Sequence, residues 1–339
     1  MRKRVLLIGA GKRMLDGIIP ALLCLEDTFT IVHVLTRSEK TLSVLGGRFR
    51  ATTITALNTV DFSHLDLIIM AVPKVEVPAV LERLSRFTTA HIRLFLDTPV
   101  LPLKKISCLK YFRRFQRVFA AEDSIALPPY VLAKKIIAEG KIGTLRHIIL
   151  DRSGYRYHAL ATLKFLSSAP YIPFLRYRKK PDGAWTLGAW LPNGVTATVI
   201  GPRDYSVGRF LIEGSTGAIA DFDAARPNLW RIEYADANGV YRGLTLNGNR
   251  LPPSDRDVRY QNTITNAVIG ATGMHALKVR ALVDMLADSF MDPSSHQYAA
   301  TAGVYDYGAI TMAERFGFFI DPSVLHRTLN LVNVRYRTL

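Results

Sequence analysis

Residues 3–22 read K-R-V-L-L-I-G-A-G-K-R-M-L-D-G-I-I-P-A-L and decide the fold of the first part of the chain. The apolar run 5–8 is too short for a helix, so it predicts a buried strand. Gly9 and Gly11 follow it, and a pattern of helical period begins directly after them. This order of strand, glycine turn and helix start is typical of folds that bind a pyrophosphate on free backbone N–H groups.

The glycine loop allows two interpretations. The third glycine of the G-x-G-x-x-G pattern is absent, because Met14 stands at that position. A glycine pair after a strand also occurs in an ordinary strand-to-helix turn, so the pattern alone is weak support for a cofactor. The βαβ rhythm of the following residues favours a dinucleotide site. The loop residues predicted to bind the cofactor are Gly9, Gly11, Lys12, Arg13 and Met14.

Length and composition indicate a globular chain of two domains, since 339 residues exceed a typical single core and 49% of them are hydrophobic. No apolar run is long enough to cross a bilayer, and no signal-peptide cleavage pattern follows the basic start. We therefore expect a cytoplasmic protein without a membrane partner. Cys24 and Cys108 form no ligand-like or redox motif and are predicted to be buried thiols.

The net charge of +16 is unusual; six basic residues lie on one predicted helical stretch, residues 104–114, and just beyond it, while the others are scattered. Such a charge can serve nucleic acid, an anionic substrate, an acidic partner or solubility alone. No helix-turn-helix, zinc-finger or aromatic RNA-binding signature accompanies it. We therefore favour a solvated basic helix face and rank nucleic acid last among the partners. Its charged members are Lys104, Lys105, Lys110, Arg113, Arg114 and Arg117.

The second predicted strand, residues 30–35, ends at Thr36, Arg37 and Ser38. An acidic residue at this point would bind the ribose 2′-hydroxyl of NAD, whereas a basic residue accommodates the 2′-phosphate of NADP. No acid is present here, so the sequence favours NADP, with NAD as the second choice. An ordinary surface arginine is the competing interpretation of Arg37.

Further strands are predicted at residues 65–72, 91–96 and 118–121, with a helix over 77–86 between the first two. Ligands of open α/β sheets lie at the carboxyl ends of the strands. The residues at these ends are therefore predicted to contact the cofactor near its nicotinamide. They are Ala71, Val72, Pro73, Asp97, Thr98 and Pro99.

The second half of the chain carries short strand patterns with no long helix between them, and two helical patterns, 263–289 and 297–316, follow. Asn193-Gly194 and Asn238-Gly239 predict type I′ turns of antiparallel hairpins. We predict an α+β domain with a mostly antiparallel open sheet, one face of which pairs with a second subunit in a homodimer or homotetramer. The predicted strands are 144–150, 184–191, 195–201, 209–213, 230–234 and 240–246.

Four motifs along the chain occur in an order and at spacings that indicate a known family. They are I-M-A-V-P-K at 69–74, F-L-D-T-P at 95–99, P-P-Y-V-L-A-K-K-I-I-A-E-G-K-I-G-T-L at 128–145 and R-F-L-I-E-G-S-T-G-A-I at 209–219. In this the chain resembles the Gfo/Idh/MocA oxidoreductases, which carry A-T-P, E-K-P, P-x-Y…E-G-x-I-G-x-L and G-x-x-G motifs at these points. The resemblance spans most of the chain. It implies a Rossmann domain, residues 1–121, followed by an α+β substrate-binding and oligomerisation domain, residues 122–339.

The resemblance also implies a proton relay, which this sequence has partly lost. Family members that oxidise sugars or polyols use the lysine of E-K-P with an aspartate and a histidine spaced D-x-x-x-H. Here Thr98 replaces the lysine and Gly154 replaces the aspartate, while His158 is kept. Threonine and glycine cannot supply a base of matched pKa. The remaining candidate catalytic residues are His158, Tyr155, Tyr157 and Lys74.

These observations predict an NADPH-dependent reductase of a small or medium polar carbonyl or imine substrate, with a proton supplied by His158 or a nearby tyrosine. No metal ligands are predicted. The competing interpretation of His158 is an N-terminal residue of a helix over 158–166, satisfied by backbone. Two other functions stay open: a sugar or cyclitol dehydrogenase with a rebuilt relay, and a dinucleotide-binding protein that has lost catalysis.

Overall fold

The chain forms two compact units, each assembled from two separate segments. The first unit comprises residues 1–131 and 234–305, and the second comprises residues 132–233 and 306–339. Every helix in the described part of the chain is too short or too polar to cross a bilayer. A computed structural model describes residues 1–154, 156–204, 206–237, 240–264, 273–291 and 298–323.

The first unit is built on a parallel sheet of five strands in the order β2-β1-β5-β6-β7. Strand β1 is buried from Val5 to Ile8, as its apolar run predicts. The strand order and the parallel pairing confirm the predicted Rossmann-type sheet. The bounds are β1 (Lys3–Ile8), β2 (Phe29–Leu35), β5 (Leu67–Met70), β6 (Arg93–Leu96) and β7 (Arg117–Ala120).

The connections between these strands differ from the sequence predictions in two places. A hairpin of β3 (Thr41–Val44) and β4 (Phe49–Thr52) follows β2 and was not predicted. The basic stretch is a 3₁₀ segment, Leu103–Arg114, with a break at Lys105, rather than an α-helix. Only Phe112 of that segment is buried, so little apolar contact favours a regular helix there.

Helices of the first sheet follow the predictions more closely. The chain after Gly11 forms a π-helical turn, Met14–Ile18, that continues into α1 (Ile19–Leu23). Helix α2 (Val77–Leu84) begins at the predicted residue, and a 3₁₀ turn, Asp123–Ala126, follows β7.

Two helices from the later part of the chain complete the first unit. The pattern 263–289 predicts one helix, but α5 (Asp255–Thr263) ends where that pattern starts, and α6 (Gly273–Met291) follows. Helix α6 packs against α1 and the 3₁₀ turn after β7. A buried ion-pair network also ties α5 to α6, because Arg280 binds Asp257 and Asp284. The first unit also holds β15 (Val240–Leu246) and β16 (Asn249–Arg250).

The second unit contains a mixed, mostly antiparallel sheet, as predicted. Its strands follow the order β13-β12-β8-β11-β10-β9-β17, and the start of β14 pairs with β13. Among the strand pairs of this unit that the described residues form, only β8–β11 and β13–β14 are parallel. The bounds are β8 (Leu145–Asp151), β9 (Phe174–Lys179), β10 (Trp185–Trp190), β11 (Thr196–Gly201), β12 (Arg209–Gly214), β13 (Ala218–Ala220), β14 (Leu229–Ala237) and β17 (Phe318–Ile320).

Three helices lie in or across this part of the chain: α3 (Pro128–Ala138), α4 (Arg156–Ser167) and α7 (Ala300–Phe316). The type I′ prediction is wrong at Asn193-Gly194, where Gly194 adopts a positive φ of 79° but Asn193 does not. Pro192 fixes a negative φ one residue earlier, which suits a type I turn closed by the Gly194 N–H donating to the Leu191 carbonyl. Asn238 and Gly239 lie outside the described residues.

The domain ranges 1–121 and 122–339 stay a prediction, and the compact units are bounded at other residues. Residues 122–131 and 234–305 belong to the first unit. The physical reason is the packing of α5 and α6, whose apolar faces are buried against elements of that unit.

Candidate functional site

A pocket of about 540 Å³ lies at the carboxyl ends of β1, β2 and β5. We call it the strand-end pocket. Gly9 forms its floor with a φ of 101°, and a Cβ atom there would lie 2.3 Å from the carbonyl oxygen of Ala71. Only glycine permits this approach of the loop to β5. The lining is Ile8, Gly9, Ala10, Gly11, Leu35, Thr36, Arg37, Ser38, Lys40, Thr55, Ala71, Val72, Pro73, Glu76, Val80 and Arg83.

The glycine loop ends in a helix start that faces open space. An added Cβ atom at Gly11 would meet nothing within 4 Å, and the Gly11 carbonyl accepts from the Met14 and Leu15 N–H groups. The first N–H groups of a helix have no intrahelical partner and carry the positive end of its dipole. The loop therefore has the open, donor-rich form that suits a pyrophosphate.

Met14 and Lys12, both predicted to bind the cofactor, do not line the pocket. The Met14 side chain is fully buried, so it fills the core beside the loop. Lys12 is exposed and its Nζ lies 3.7 Å from Asp16, one helical turn on.

Three cations and one carboxylate line the outer wall of the strand-end pocket. Arg37 follows β2 as predicted, and its Nη2 lies 3.2 Å from Oε1 of Glu76. Lys40 and Arg83 also line the pocket and were missed by the sequence reasoning. Glu76, Val80 and Arg83 share one face of α2 at spacings of four and three, and this periodicity is the signal that could have identified them.

Hydroxyl groups hold the turn that carries Arg37 and Lys40. The Thr36 hydroxyl lies 2.7 Å from the Ser38 carbonyl oxygen and 2.7 Å from the buried Thr53 hydroxyl. The Lys40 backbone N–H donates to the Thr53 hydroxyl at 3.0 Å. These bonds fix the backbone of the turn, and both Arg37 and Lys40 line the pocket.

Arg13 lies between the carboxylates of Asp97 and Asp123, and we call these three residues the Arg13 triad. Its Nε lies 3.1 Å from Asp97, at the end of β6, and its Nη1 lies 2.8 Å from Asp123, after β7. The Asp123 side chain is only 1% exposed. Burial opposes the charged guanidinium, yet the carboxylates of Asp123 and Asp97 outweigh it and raise the pKa of Arg13. Burial raises the pKa of Asp97, against the opposing effect of Arg13.

The triad brings together Arg13 and Asp97, both of them predicted cofactor residues, outside the lining of the strand-end pocket. Thr98 and Pro99, joined by a cis peptide bond, are half-buried just after Asp97. Lys74 is half-buried in the turn between β5 and α2 and does not line the pocket.

In the second unit, the candidate catalytic residues lie at the start of α4. His158 is buried, and its ring centroid lies 4.4 Å from that of Tyr157. The Tyr157 ring also meets Tyr307 edge-on at 6.3 Å. The His158 carbonyl accepts from the Thr162 hydroxyl. Tyr155 lies outside the described residues.

Helix α4 is fixed by charged contacts at both ends. Near its start, Arg156 pairs with Glu314 and stacks 4.7 Å over the Trp185 ring. Further along, Nζ of Lys164 lies 2.7 Å from Asp306, and both side chains are less than a tenth exposed. These pairs hold the Tyr157–His158 segment against α7 within the same unit.

Comparison with solved structures places this architecture among known folds. The chain is similar to a myo-inositol dehydrogenase from Corynebacterium glutamicum, with a TM-score of 0.63 and 13% identity over 95% of this chain and 100% of that one. It is similar to an oxidoreductase from Agrobacterium radiobacter in complex with NAD⁺, L-tartaric acid and magnesium, with a TM-score of 0.62 and 13% identity over 94% and 98%. This chain has the fold of NAD-binding oxidoreductases.

A third similar structure is a super-repressor mutant of Gal80p from Saccharomyces cerevisiae, with a TM-score of 0.64 and 13% identity over 94% of this chain and 98% of that one. The predicted resemblance to the Gfo/Idh/MocA oxidoreductases is therefore confirmed for the fold. No family model matches the sequence, and no curated protein sequence matches it significantly.

Proposed function

We propose that the protein is a Gfo/Idh/MocA-type oxidoreductase that uses NADPH to reduce a carbonyl or imine group of a small or medium polar substrate. The observation that carries the proposal is the strand-end pocket, in which an open glycine loop and three cationic side chains lie at the carboxyl ends of β1, β2 and β5. Dinucleotides bind at such strand ends in open α/β sheets.

The residues fit the cofactor as follows. Loop N–H groups after Gly9 meet the pyrophosphate, while Arg37, Lys40 and Arg83 attract the 2′-phosphate with charge-assisted hydrogen bonds. Ala71, Val72 and Pro73 form an apolar part of the lining beside the loop. Asp97, Thr98 and Pro99 remain the residues proposed near the nicotinamide, at the end of β6. When bound, NADPH supplies the hydride.

The proposed proton donor to the substrate is His158. Two observations support this role: the His158 side chain is buried, and its helix is held by the Lys164–Asp306 ion pair. A general acid must be held within reach of the atom that it protonates. Tyr157, stacked against His158, is the second candidate, and Tyr155 and Lys74 are kept as further candidates.

The first test compares the affinities of NADPH and NADH for the purified protein. Arg37→Asp should weaken NADPH binding at least about tenfold more than NADH binding, because a charge-assisted contact to the 2′-phosphate is lost. The control is Arg114→Asp, which makes the same charge change on an exposed residue outside the pocket. Equal losses for both cofactors would exclude Arg37 from the 2′-phosphate site.

The second test concerns the proton donor. Screening carbonyl and imine compounds for loss of reduced-nicotinamide absorbance supplies a substrate. With that substrate, His158→Ala should lower turnover roughly 10²- to 10⁴-fold while NADPH affinity stays nearly unchanged. Tyr157→Phe is the matched comparison on the same helix, and a larger loss there would transfer the role to that phenol.

Specific observations favour two alternatives. A cyclitol dehydrogenase is favoured by similarity to the inositol dehydrogenase fold, and Thr98→Lys should then increase polyol oxidation. A non-catalytic dinucleotide-binding protein is favoured by Thr98 and Gly154 at the relay positions. NADPH binding without turnover of any carbonyl, imine or polyol would support the second alternative.

We also propose a homodimer or homotetramer formed through the sheet of the second unit. Trp190, Phe318 and Ile320 are exposed apolar residues there, and Trp190 and Ile320 both pair with Phe174 of β9. Apolar patches of this kind mark association surfaces. Light scattering of the wild type and of Trp190→Lys should show dissociation of the variant. A cytoplasmic location and the absence of a nucleic-acid partner remain predictions.

A further inference from the structure

Glu76 is the one acidic side chain among the described residues that line the strand-end pocket, and it contacts the arginine proposed for the 2′-phosphate. We propose that Glu76 sets the choice between NADH and NADPH by acting as an exchangeable counter-ion of Arg37. The inference rests on the proposed function, because it requires a nicotinamide dinucleotide in this pocket.

The fold does not use the Glu76 carboxylate for its own stability. Glu76 occupies the N-cap position of α2, but its side chain makes no capping hydrogen bond. Its backbone N–H donates to the Pro73 carbonyl, which fixes the residue at the pocket wall. The side chains of Arg37 and Glu76 are 79% and 42% exposed. An ion pair this exposed contributes little to stability, so Arg37 can exchange Glu76 for another anion at small cost.

When NADPH binds, the exchange of partners by Arg37 leaves the Glu76 carboxylate beside a second negative charge. A 2′-phosphate at the end of β2 would take Arg37 in two parallel charge-assisted hydrogen bonds. The carboxylate then remains beside a dianion, which it repels. Lys40 and Arg83 on the same wall offset part of that repulsion. Glu76 therefore lowers the affinity for NADPH without abolishing it.

NADH leaves the Arg37–Glu76 pair intact. The acid that normally binds the ribose 2′-hydroxyl follows the second strand, where this chain has Thr36, Arg37 and Ser38. Glu76 lines the same pocket but comes from another element, after β5, and its carboxylate can accept a hydrogen bond from a ribose hydroxyl. Arg37 thus binds the 2′-phosphate of NADPH, Glu76 binds the ribose hydroxyl of NADH, and the wild type binds both cofactors.

The test measures the dissociation constants of NADPH and NADH by calorimetry for the wild type, Glu76→Gln and Glu82→Gln. Glu76→Gln should tighten NADPH binding about tenfold at low salt, a change of about 1.4 kcal/mol, because a negative charge beside the phosphate is removed. The same change should weaken NADH binding about two- to fivefold, because a neutral amide is a poorer acceptor. The gain for NADPH should shrink at high salt.

Glu82→Gln is the matched control, since Glu82 is exposed on the same helix but does not line the pocket. Both affinities should change less than about twofold in this variant. Equal changes in the cofactor ratio for both variants would overturn the role of Glu76 while leaving the proposed function intact. A wild type that binds neither cofactor would overturn both proposals.

Discussion

Replacing Arg13 by methionine should destabilise the protein through the two carboxylates that it leaves behind. Asp97 and Asp123 approach the guanidinium at 3.1 and 2.8 Å, and the Asp123 side chain is almost fully buried. Methionine keeps a long apolar side chain in the same place but removes the charge and its hydrogen bonds. Each carboxylate then loses its cationic partner in a poorly solvated site.

The magnitude follows from these distances. At an effective dielectric constant of about 20, a charge pair about 3 Å apart attracts by about 5 kcal/mol before desolvation is counted. Part of this attraction only offsets the cost of burying the charges, and breaking one partner out of a buried group typically costs 3–5 kcal/mol. We expect Arg13→Met to lower the free energy of unfolding by about 3–5 kcal/mol at pH 8.

The loss should depend on pH in a defined direction. Burial already raises the pKa of Asp97, and without Arg13 the guanidinium no longer opposes that effect, so between the unfolded and folded pKa values the folded variant binds more protons than the unfolded chain. Stability of the variant therefore falls as pH rises through that interval. The difference from wild type should be smallest near pH 4 and largest at pH 8.

Urea unfolding at pH 4, 6 and 8 provides the measurement, with Lys12→Met as the control. Lys12 precedes Arg13, but its side chain is 87% exposed, so its loss should change stability by less than about 0.5 kcal/mol. Equal losses for the two variants, or a loss for Arg13→Met that does not change with pH, would refute the reasoning.

Three further outcomes are expected. Lys164→Met should cost about 3–5 kcal/mol because the buried Asp306 carboxylate loses the Lys164 ammonium, whereas Lys164→Met combined with Asp306→Leu should recover most of it in urea unfolding. Burial raises the pKa of Asp221 to about 6, so folded-state stability falls between about pH 4 and 6; Asp221→Asn should gain up to about 3 kcal/mol at pH 8 and nothing near pH 4. Burial raises the pKa of Cys24 to about 12, so iodoacetamide should modify Cys108 first in the native protein, as mass spectrometry would show.

Much of the fold could be predicted because buried strands require apolar residues in local, recognisable patterns. Most strands of both sheets coincide with short apolar or alternating runs, and the glycine at position 9 indicates a turn that needs a positive φ. Strands β9, β16 and β17 were not predicted. The hairpin 41–52 was missed because its strands are four residues each, with half of their side chains exposed. The turn at Gly194 was misassigned because Pro192 overrides the preference of the Asn-Gly pair.

The site was harder to predict, because its members come from distant parts of the chain. The glycine loop and Arg37 follow their strands directly and are visible as motifs. Glu76 and Arg83 reach the pocket through a helix face that carries no motif. The contact of Arg13 with Asp123 joins residues 110 positions apart in the chain, and local patterns carry no information about such pairs.

The discontinuity of the first unit has a consequence for how the protein is made. Its sheet is complete once residue 120 has been synthesised, but α6, which packs on α1, lies at residues 273–291. The α6 side chains of Leu277, Leu282 and Leu286 are buried in the folded chain. The apolar surface that α6 covers therefore stays exposed in the nascent chain until more than a hundred and fifty further residues have been synthesised. During this time the exposed surface can bind chaperones.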